Sequence, residues 1–506
     1  REATEGHIPG DYALSVGLPE MSPPVGWRWS LLTDIARLES GHTPSRKYPE
    51  YWGGEIPWVG IKDATGNHGQ VIDDTIQHTN QLGIENSSAR VLPEQTVCLS
   101  RTASVGYVIV MGKPMATSQD FVNWVCSDML NPHFLKYVLL AEKRSFSRFS
   151  HGTTHQTIYF PEVKAFHLCH PPLEEQDKIV HVLKSLDNKI QLNRQTNQTL
   201  EQMAQALFKS WFVDFDPVID NALDAGNPIP PELEQKAQKR VEYRAQHQAQ
   251  QQAPTQAASN KARQANAEVH GGQLPQHMRD LFPSEFEHTE ALGWVPKGWG
   301  MASLYSLADF INGAAYKKFE PNTEGLGLPI IKIAELKAGV TDKTGFSQVK
   351  MPDKYLIRNK DILFSWSGNP DTSIDTFVWS LGDAWLNQHI FRVLPNSDVA
   401  YSYLLSLLKS LKPVFTEIAR DKQTTGLGHV TVKDIKSLMV VMPTEAIMNQ
   451  VSVILDSLFD KSFANTKNNN EITKLRDTLL PKLISGELRL PEAETDAPSL
   501  IDEVSA

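Results

Sequence analysis

The sequence is poor in cysteine: only Cys98, Cys126 and Cys169 occur among 506 residues. They lie far apart, form no Cys-x-x-Cys pair and are not accompanied by a metal-ligand pattern of histidines. This spacing excludes a disulfide framework and a cysteine-based zinc site. We therefore expect buried, reduced thiols in a cytoplasmic protein.

Long hydrophobic runs are also missing. No apolar stretch approaches the roughly 18 residues that a bilayer-spanning helix needs. The first residues, Arg1-Glu2-Ala3-Thr4-Glu5, have no apolar core of the kind found in a signal peptide. The sequence predicts neither a membrane span nor a secretory leader.

Motifs for catalysis are absent as well. No Gly-x-Gly-x-x-Gly follows a predicted strand, and no His-Glu-x-x-His occurs among the 16 histidines. Gly106 and Gly112-Lys113 resemble a phosphate-binding loop, but the glycines are one residue too far apart and Pro114 replaces the required Ser or Thr. No Asn-Pro-Pro-Tyr motif for methylating a base is present. We expect a chain without an active site of its own.

Positive charge is scarce overall, with a formal net charge of −10. Residues 21–172 nevertheless hold 13 Lys and Arg against 13 Asp and Glu, and residues 294–443 hold 17 against 14. The acidity therefore lies elsewhere in the chain. A neutral block can still concentrate cations on one face, so the balance does not exclude contact with nucleic acid.

The chain repeats itself once, which is its most informative property. Compensating insertions change the spacing inside the repeat, but the spacing at both ends is the same, as expected for two copies of one fold with different surface loops. At an offset of 272 the matched residues are Trp27 and Trp299, Gly41 and Gly313, Pro57 and Pro329, Ile61 and Ile333, Pro171 and Pro443, Leu186 and Leu458, and Lys189 and Lys461. The offset becomes 265 where Leu99-Ser100 matches Phe364-Ser365, and 269 where Gln119 matches Gln388.

Each copy opens with a module of short apolar runs separated by turn-rich stretches, which predicts an α+β module. The predicted strands are Ile56–Ile61 and Val105–Met111 in the first copy, and Leu328–Ile333 and Lys436–Met442 in the second. The predicted module helices are Asn131–Lys143 and Val399–Leu411.

A long segment of helical, near-heptad periodicity follows each module. Asparagines at seam positions would set the register of a helix pair, so we expect two antiparallel helices packed on each other. The alternative is two separate amphipathic helices, each lying on its own module. The apolar and seam positions are Ile179, Val182, Leu186, Ile190, Asn193, Asn197, Leu200, Leu207, Trp211 and Phe212 in the first helix, and Val451, Ile454, Leu458, Asn465, Asn469, Ile472, Leu479 and Leu483 in the second.

The predicted fold is α+β: two similar α/β modules joined by two long antiparallel coiled-coil-like helices, with an internal pseudo-two-fold repeat. Residues 245–267 are rich in Gln and Ala and cannot build a core alone, whereas 232–252 has helix propensity. The predicted segments are an N-terminal segment (1–20), a first module (21–172), a first long helix (173–215), an extended linker with a helical portion (216–290), a second module (291–443), a second long helix (444–490) and an acidic tail (491–506).

The loops of each module carry residue types that bind DNA. Small hydroxyl residues with Arg or Lys suit phosphates, while Arg, Gln and Asn read guanine and adenine edges. The two copies share a frame but differ in these residues, as expected of a reader of two different half-sites. Trp52 and Trp58 are expected to be core residues instead. The candidate DNA-binding residues are Thr43, Ser45, Arg46, Lys47, Tyr51, Lys62, Arg101, Thr102, Ser104 and Gln119 in the first module, and Tyr316, Lys317, Lys318, Lys332, Ser365, Trp366, Asn369, Asn387, Gln388 and His389 in the second.

A nuclease-like acid…Glu-x-Lys pattern can be drawn through Asp309, Glu335 and Lys337. The first copy has Asp63 and Thr65 at the last two places and so lacks the lysine. Such short patterns arise often by accident, and we expect these residues to be exposed charges at strand ends.

Several motifs resemble those of the specificity subunits of type I restriction-modification enzymes over nearly the full length. They are Pro171-Pro172-Leu173-Glu174-Glu175-Gln176-Asp177-Lys178-Ile179, Leu207–Asp216, Leu479–Leu488, Trp52–Val59 and Gly293–Trp299.

The resemblance implies two target-recognition domains, each reading one half of a bipartite asymmetric DNA site, on two conserved helices of roughly 60 Å that act as a ruler. It also implies docking of two methyltransferase subunits that use S-adenosylmethionine, and of two restriction subunits using ATP and Mg where these are present. This chain itself would bind no cofactor and no metal. A non-catalytic adaptor bridging two protein partners remains the alternative, and a stand-alone nuclease is a third hypothesis.

Overall fold

The two long helices extend over Leu173–Phe212 and Glu445–Ile484, 40 residues each. The computed structural model describes residues 7–152, 156–252, 274–423 and 426–490. Two units are present, residues 1–190 with 471–506 and residues 191–470. Each unit contains one module and a part of each long helix.

The first unit is built mainly of short strands, several of them buried on both faces. Its strands are Ile8–Pro9, Leu14–Val16, Arg28–Leu31, Ala36–Ser40, Trp52–Val59, Val71–Ile72, Gln77–Thr79, Val97–Ser100, Val108–Met111, Ala116–Thr117, Phe121–Cys126 and Phe166–His170. Its module helices are Leu32–Ile35, Pro49–Tyr51, Ile61–Gly66, Gln81–Glu85, Pro132–Ala141, Glu142–Arg144, Phe146–Phe149 and Phe160–Lys164, of which Pro49–Tyr51 and Glu142–Arg144 are 3₁₀ helices.

The second unit repeats this plan. Its strands are Phe286–Thr289, Gly293–Pro296, Gly300–Ser303, Ala308–Asn312, Leu328–Ile331, Phe346–Ser347, Leu356–Ile357, Ile362–Ser365, Ser367–Gly368, Asp375–Val378, Ala384–Leu386, Ile390–Pro395, Gly428–His429 and Met439–Met442. Its α-helices besides the long ones are Asp216–Ala225, Glu234–Gln252, Gln276–Arg279, Ile333–Ala338, Pro370–Ser373, Tyr401–Ser410, Lys412–Asp421 and Val432–Ser437, and its 3₁₀ helices are Pro231–Leu233, Leu304–Leu307, Tyr316–Phe319 and Asp353–Tyr355.

Strand pairing confirms the internal repeat. In the first unit the central strand Phe121–Cys126 lies between Ala36–Ser40 and Val97–Ser100, antiparallel to both. In the second unit Ile390–Pro395 lies in the same way between Ala308–Asn312 and Ile362–Ser365. Equivalent strands are thus related by the offsets 272, 269 and 265 that the sequence shows.

A parallel strand pair is repeated as well. Trp58 pairs with Ala116 in the first unit, and Ile330 pairs with Trp385 in the second. Each pair brings the loop after the first strand next to the loop that precedes the central strand of the sheet. Of the candidate binding residues, Lys62 and Lys332 follow the first strand, and Gln119, Asn387, Gln388 and His389 precede the central strand.

The apolar faces of the long helices are buried within each unit. In the first unit Ile179 and Leu183 share a core with Leu483 and Ile484. In the second, Trp211 packs with Val451 and the module residues around it. In each unit the long helices therefore form one hydrophobic core with the module. Fully burying an aromatic or aliphatic side chain of this size stabilises the folded state by roughly 1.5–3 kcal/mol.

The helices run antiparallel to each other within each unit. In the second unit the Asn193 amide donates to Asn469 Oδ1 at 2.8 Å, and the Asn197 amide donates to Thr466 Oγ1 at 3.0 Å. In the first unit Arg476 donates to Asp187 Oδ1 at 2.9 Å. The helices therefore pair with each other, which excludes the alternative of two unpaired amphipathic helices.

All four of the predicted strands were wrong at one end. Ile61 and Ile333 begin the helices Ile61–Gly66 and Ile333–Ala338 instead of ending strands. The cause is a side-chain cap: the Asp63 carboxylate accepts a hydrogen bond from Gly60 N, and the Glu335 carboxylate accepts one from Lys332 N, which starts a helix at each place. Lys436 lies in the helix Val432–Ser437, and the strand in that run is Met439–Met442. The strand predicted from Val105 begins only at Val108.

The sequence predicts an extended linker with a helical portion after the first long helix, but residues 216–252 do not form an extended linker. They fold into two helices, and Val218 and Ile219 on the first are fully buried in the core of the second unit. The guanidinium of Arg240 on the second helix is paired with the buried carboxylate of Asp220. The helix predicted for 232–252 is present as Glu234–Gln252. Most of the Gln/Ala-rich stretch 245–267 and the whole tail 491–506 lie outside the described residues.

The N-terminal segment adds strands to the first module. Leu14–Val16 pairs antiparallel with Phe166–His170 and is fully buried. The buried carboxylate of Glu142 accepts hydrogen bonds from the backbone N–H groups of Asp11, Tyr12 and Ala13 at 2.7, 2.7 and 2.8 Å. This carboxylate fastens the segment to the module.

Candidate nucleic-acid interface

Two glycines allow the loops of each module to meet. A Cβ atom at Gly41 would lie 1.9 Å from the carbonyl oxygen of Ser118, and one at Gly313 would lie 2.1 Å from that of Asn387. Only glycine permits such an approach between backbones. The same close contact at matched positions means that both modules bring the same pair of loops together.

In the first module this contact assembles a polar cluster. The Thr43 hydroxyl donates to Gln119 Oε1, and Arg101 Nη2 donates to the Gln119 carbonyl oxygen at 3.1 Å. The Arg101 guanidinium also lies 4.9 Å from the ring centroid of Phe160. Partial burial lowers the pKa of Arg101 from its ordinary value. The cluster holds a cation and an amide in fixed positions at the surface of the module.

Arg46 lies on the same loop, against a pair of tryptophans. Its guanidinium carbon is 4.8 Å from the Trp52 ring centroid and 5.4 Å from that of Trp58, and the two rings meet edge to face. Arg46 Nη2 also donates to Gln77 Oε1 at 3.0 Å. Trp58 is buried, as expected, whereas Trp52 is half-buried.

In the second module aromatic rings replace the arginine of the cluster. Trp366 follows Ser365 as Arg101 follows Ser100, and its indole N–H donates to Asn312 Oδ1 at 3.1 Å. Its ring lies 5.6 Å from that of His389, which follows Gln388. The equivalent place of the fold thus presents an indole and an imidazole in this module.

The second module also carries lysines among its candidate residues. Lys317 and Lys318 are exposed on the turn Tyr316–Phe319. Lys332 Nζ lies 5.0 Å from the ring centroid of Tyr316 and 3.8 Å from Glu335 Oε1. These cations are suited to phosphate contact.

Two of the candidate residues are buried and cannot contact a ligand in this conformation. Ser365 is inaccessible to solvent because it lies inside the sheet, and Asn387 is 4% exposed because its backbone joins the parallel strand pair. We remove both from the candidate set. Ser45, Arg46, Lys47, Lys62, Gln119, Lys317, Lys318 and Asn369 are exposed, and Thr43, Tyr51, Arg101, Thr102, Ser104, Tyr316, Lys332, Trp366, Gln388 and His389 are half-buried.

Two of the accessible candidates, one exposed and one half-buried, also have local structural partners. The Asn369 side chain caps the helix Pro370–Ser373 by accepting from Asp371 N at 3.0 Å. The Thr102 hydroxyl bonds that of Thr157 at 3.0 Å. Gln77 and Asn312, which orient Arg46 and Trp366, were not among the predicted residues. No local motif marks them, because they come from strands distant in sequence.

The nuclease-like carboxylates are helix caps. Glu335 Oε2 accepts from Lys332 N at 3.0 Å, and Asp63 Oδ2 accepts from Gly60 N at 2.8 Å. Both are buried, at 5% exposure each, so the expectation of exposed charges at strand ends was wrong for these two residues. Matched positions in the two copies therefore perform the same structural task, and Lys337 donates to the carbonyl oxygen of Thr372.

Within the described parts of the chain, no group of three or more His, Cys, Asp or Glu side chains is arranged to hold a metal ion. Nor does any helix among these residues have the length and hydrophobicity to cross a membrane. The three cysteines are unpaired. Burial raises the pKa of Cys126 and of Cys169 to about 12, so these thiols stay protonated at neutral pH.

The predicted residues of the long helices are mostly committed to packing inside the units. Leu186, Asn197, Leu458, Asn469 and Leu479 are half-buried, and Ile179, Asn193, Leu207, Trp211, Phe212, Val451, Asn465 and Leu483 are buried. These side chains therefore pack inside each unit, away from the exposed faces of the helices.

Comparison with known proteins identifies the family. The family model described as the type I restriction modification DNA specificity domain matches residues 24–202 and 296–474, which together make up more than half of the chain. The type I restriction enzyme MjaIX specificity subunit of Methanocaldococcus jannaschii is 25% identical over 485 residues, covering 93% of this chain and 95% of that protein. The HindI specificity subunit of Haemophilus influenzae is 27% identical over 491 residues, covering 91% and 99%.

A crystal structure of the type I restriction-modification S subunit from M. genitalium aligns with 92% of this chain and 98% of its own, at 14% identity and a TM-score of 0.49. The assignment rests on the sequence matches, whose two segments are offset by the same 272 residues as the repeat. The chain belongs to the type I restriction-modification DNA specificity family, as a non-catalytic specificity subunit with two target-recognition domains.

Proposed function

We propose that the two modules, residues 21–172 and 291–443, each read one half of a bipartite, asymmetric DNA site. The carrying observation is that matched glycines, Gly41 and Gly313, bring together equivalent loops with different side chains. One module presents Arg46, Arg101 and Gln119, and the other presents Trp366 with His389. Two different half-sites require modules that share a backbone arrangement but present different side chains to the DNA.

We also propose that the complete enzyme contains two methyltransferase subunits, which bind S-adenosylmethionine and methylate adenine after base flipping. Restriction subunits using ATP and Mg would join where they are present. The exposed faces of the long helices are available for this docking, since the apolar faces are buried within the units. The protonated thiols fit a reducing compartment, and we place the complex in the cytoplasm.

The test is methylation mapping of genomic DNA, read on single molecules, in cells with and without this gene. We expect methyladenine at one split, asymmetric motif that disappears on deletion. Replacing residues 21–172 with the module of a relative of different specificity should change one half of the motif only. The matched control replaces residues 291–443 and should change the other half only.

An unchanged methylation pattern after both exchanges, in cells with an active methyltransferase partner, would refute target reading. That result would favour an adaptor that only joins two protein partners. Methylation that loses both half-sites after one exchange would show that the modules do not read independently.

A further inference from the structure

A cleft of about 450 Å³ opens on the first module beside Arg46 and is lined among others by Trp52, Gly53 and Gln77. At Gly53 an added Cβ would meet nothing within 4 Å, so the bare backbone leaves this side of the cleft open. Arg46 and Gln77 are both exposed at its edge. The cleft therefore combines an aromatic ring with an accessible guanidinium.

The guanidinium of Arg46 is held in one orientation. It lies 4.8 Å from the Trp52 ring centroid and donates through Nη2 to Gln77 Oε1 at 3.0 Å. Stacking and one hydrogen bond restrict a side chain that would otherwise lose considerable rotamer entropy on binding. Five N–H groups are present on a guanidinium, and this hydrogen bond uses one of them.

A fixed, planar pair of N–H donors matches the O6 and N7 acceptors of guanine in the major groove. Phosphate contact makes no such demand, because a mobile lysine serves equally well. The second copy illustrates the difference. At the 272 offset Arg46, Trp52 and Trp58 correspond to Lys318, Glu324 and Ile330, so the aromatic support is absent where the cation is a lysine.

We infer that Arg46 is a base-reading residue, which selects a guanine in the half-site of the first module, and that Gln77 positions it. This inference rests on the proposed function and adds the identity of one base to it. It predicts that the half-site assigned to residues 21–172 contains a G·C pair whose recognition depends on Arg46.

The test uses the full chain assembled with its methyltransferase subunits and a set of DNA duplexes, each with one base pair of the site changed. Arg46→Lys keeps the positive charge but removes the planar pair of N–H donors. We expect it to reduce discrimination about 5- to 100-fold at a single G·C pair of that half-site. Discrimination at all other pairs, and the salt dependence of binding, should stay as in the wild type.

Two further variants separate reading from other roles. Gln77→Ala should weaken discrimination at the same base pair, and the double variant should lose no more there than Arg46→Lys alone, because Gln77 acts through Arg46. The control is Lys47→Gln on the same loop, which should weaken binding equally for all duplexes and reduce the salt slope by about one.

A first half-site without guanine, or equal weakening of every duplex by Arg46→Lys, would overturn the inference while leaving two-module reading intact. If the wild-type complex showed no preference among the duplexes, the proposed function itself would fail. The two failures are therefore distinguishable in one set of measurements.

Discussion

Replacing Gly41 with alanine should disable base reading by the first module and leave the second module working. The new Cβ would lie 1.9 Å from the Ser118 carbonyl oxygen, whereas ordinary contacts begin at 3.4 Å. One loop must therefore move by about 1.5 Å. The matched substitution, Gly313→Ala, places its Cβ 2.1 Å from the Asn387 carbonyl oxygen and should affect the second module alone.

The energetic cost follows from the contacts that such a shift breaks. The His42 N–H donates to Thr117 O at 2.9 Å, and the Trp58 indole donates to His42 O at 3.1 Å. Each is worth about 1 kcal/mol net, and strain from the inserted methyl adds about 1–3 kcal/mol. We expect Gly41→Ala to destabilise the first unit by about 3–5 kcal/mol, or roughly 6–20 °C in its melting transition.

Calorimetry and methylation mapping of the same variants give the readout. Gly41→Ala should lose specificity in one half-site and Gly313→Ala in the other. The control is Gly66→Ala, since its Cβ would meet nothing within 4 Å and the residue is helical. Wild-type melting and an unaltered first half-site in Gly41→Ala would show that this loop contact neither supports the module nor places its reading residues.

Three other perturbations test the scaffold. Glu142→Ala removes the acceptor for the N–H groups of Asp11, Tyr12 and Ala13. It should lower the free energy of unfolding by about 3 kcal/mol and speed hydrogen exchange at residues 11–16. Unchanged exchange there would show that the Glu142 carboxylate does not hold the N-terminal segment on the module. Asn193→Leu removes the amide that donates to Asn468 and Asn469 and should lower the free energy of unfolding in urea by about 2 kcal/mol. The control, Leu192→Ala at the exposed neighbouring position, should have little effect. Equal effects of the two substitutions would show that Asn193 does not stabilise the contact between the long helices. Burial lowers the pKa of His68 and His133 to about 4, below the unfolded value of 6.5, so the stability they contribute is present above pH 6.5 and lost as the pH falls from 6.5 to 4. Between pH 7 and 5 the melting temperature should therefore fall less steeply in His133→Gln than in the wild type. An identical slope would show that His133 does not contribute to the pH dependence of stability.

The residues that we propose to contact DNA are only partly visible from sequence patterns. Composition and residue type drew attention to Arg46, but Gln77, which orients it, lies on a different strand and carries no motif. Ser365 and Trp366 are adjacent in sequence, yet the first is buried and the second half-buried, because the buried strand Ile362–Ser365 ends between them. The buried Glu142 clamp joins residues about 130 positions apart.

The sequence by itself determined the repeat, the two long helices and the family. Repeated residues at a constant offset and a heptad stripe are local or periodic signals, and they survive without knowledge of the fold. The tertiary structure alone decided which loops meet, which polar residues are exposed and that the helix Asp216–Ala225 packs into the core of the second unit. Those outcomes depend on strand order and on which apolar surfaces cover each other, and contacts between residues far apart in the chain leave no periodic trace in it.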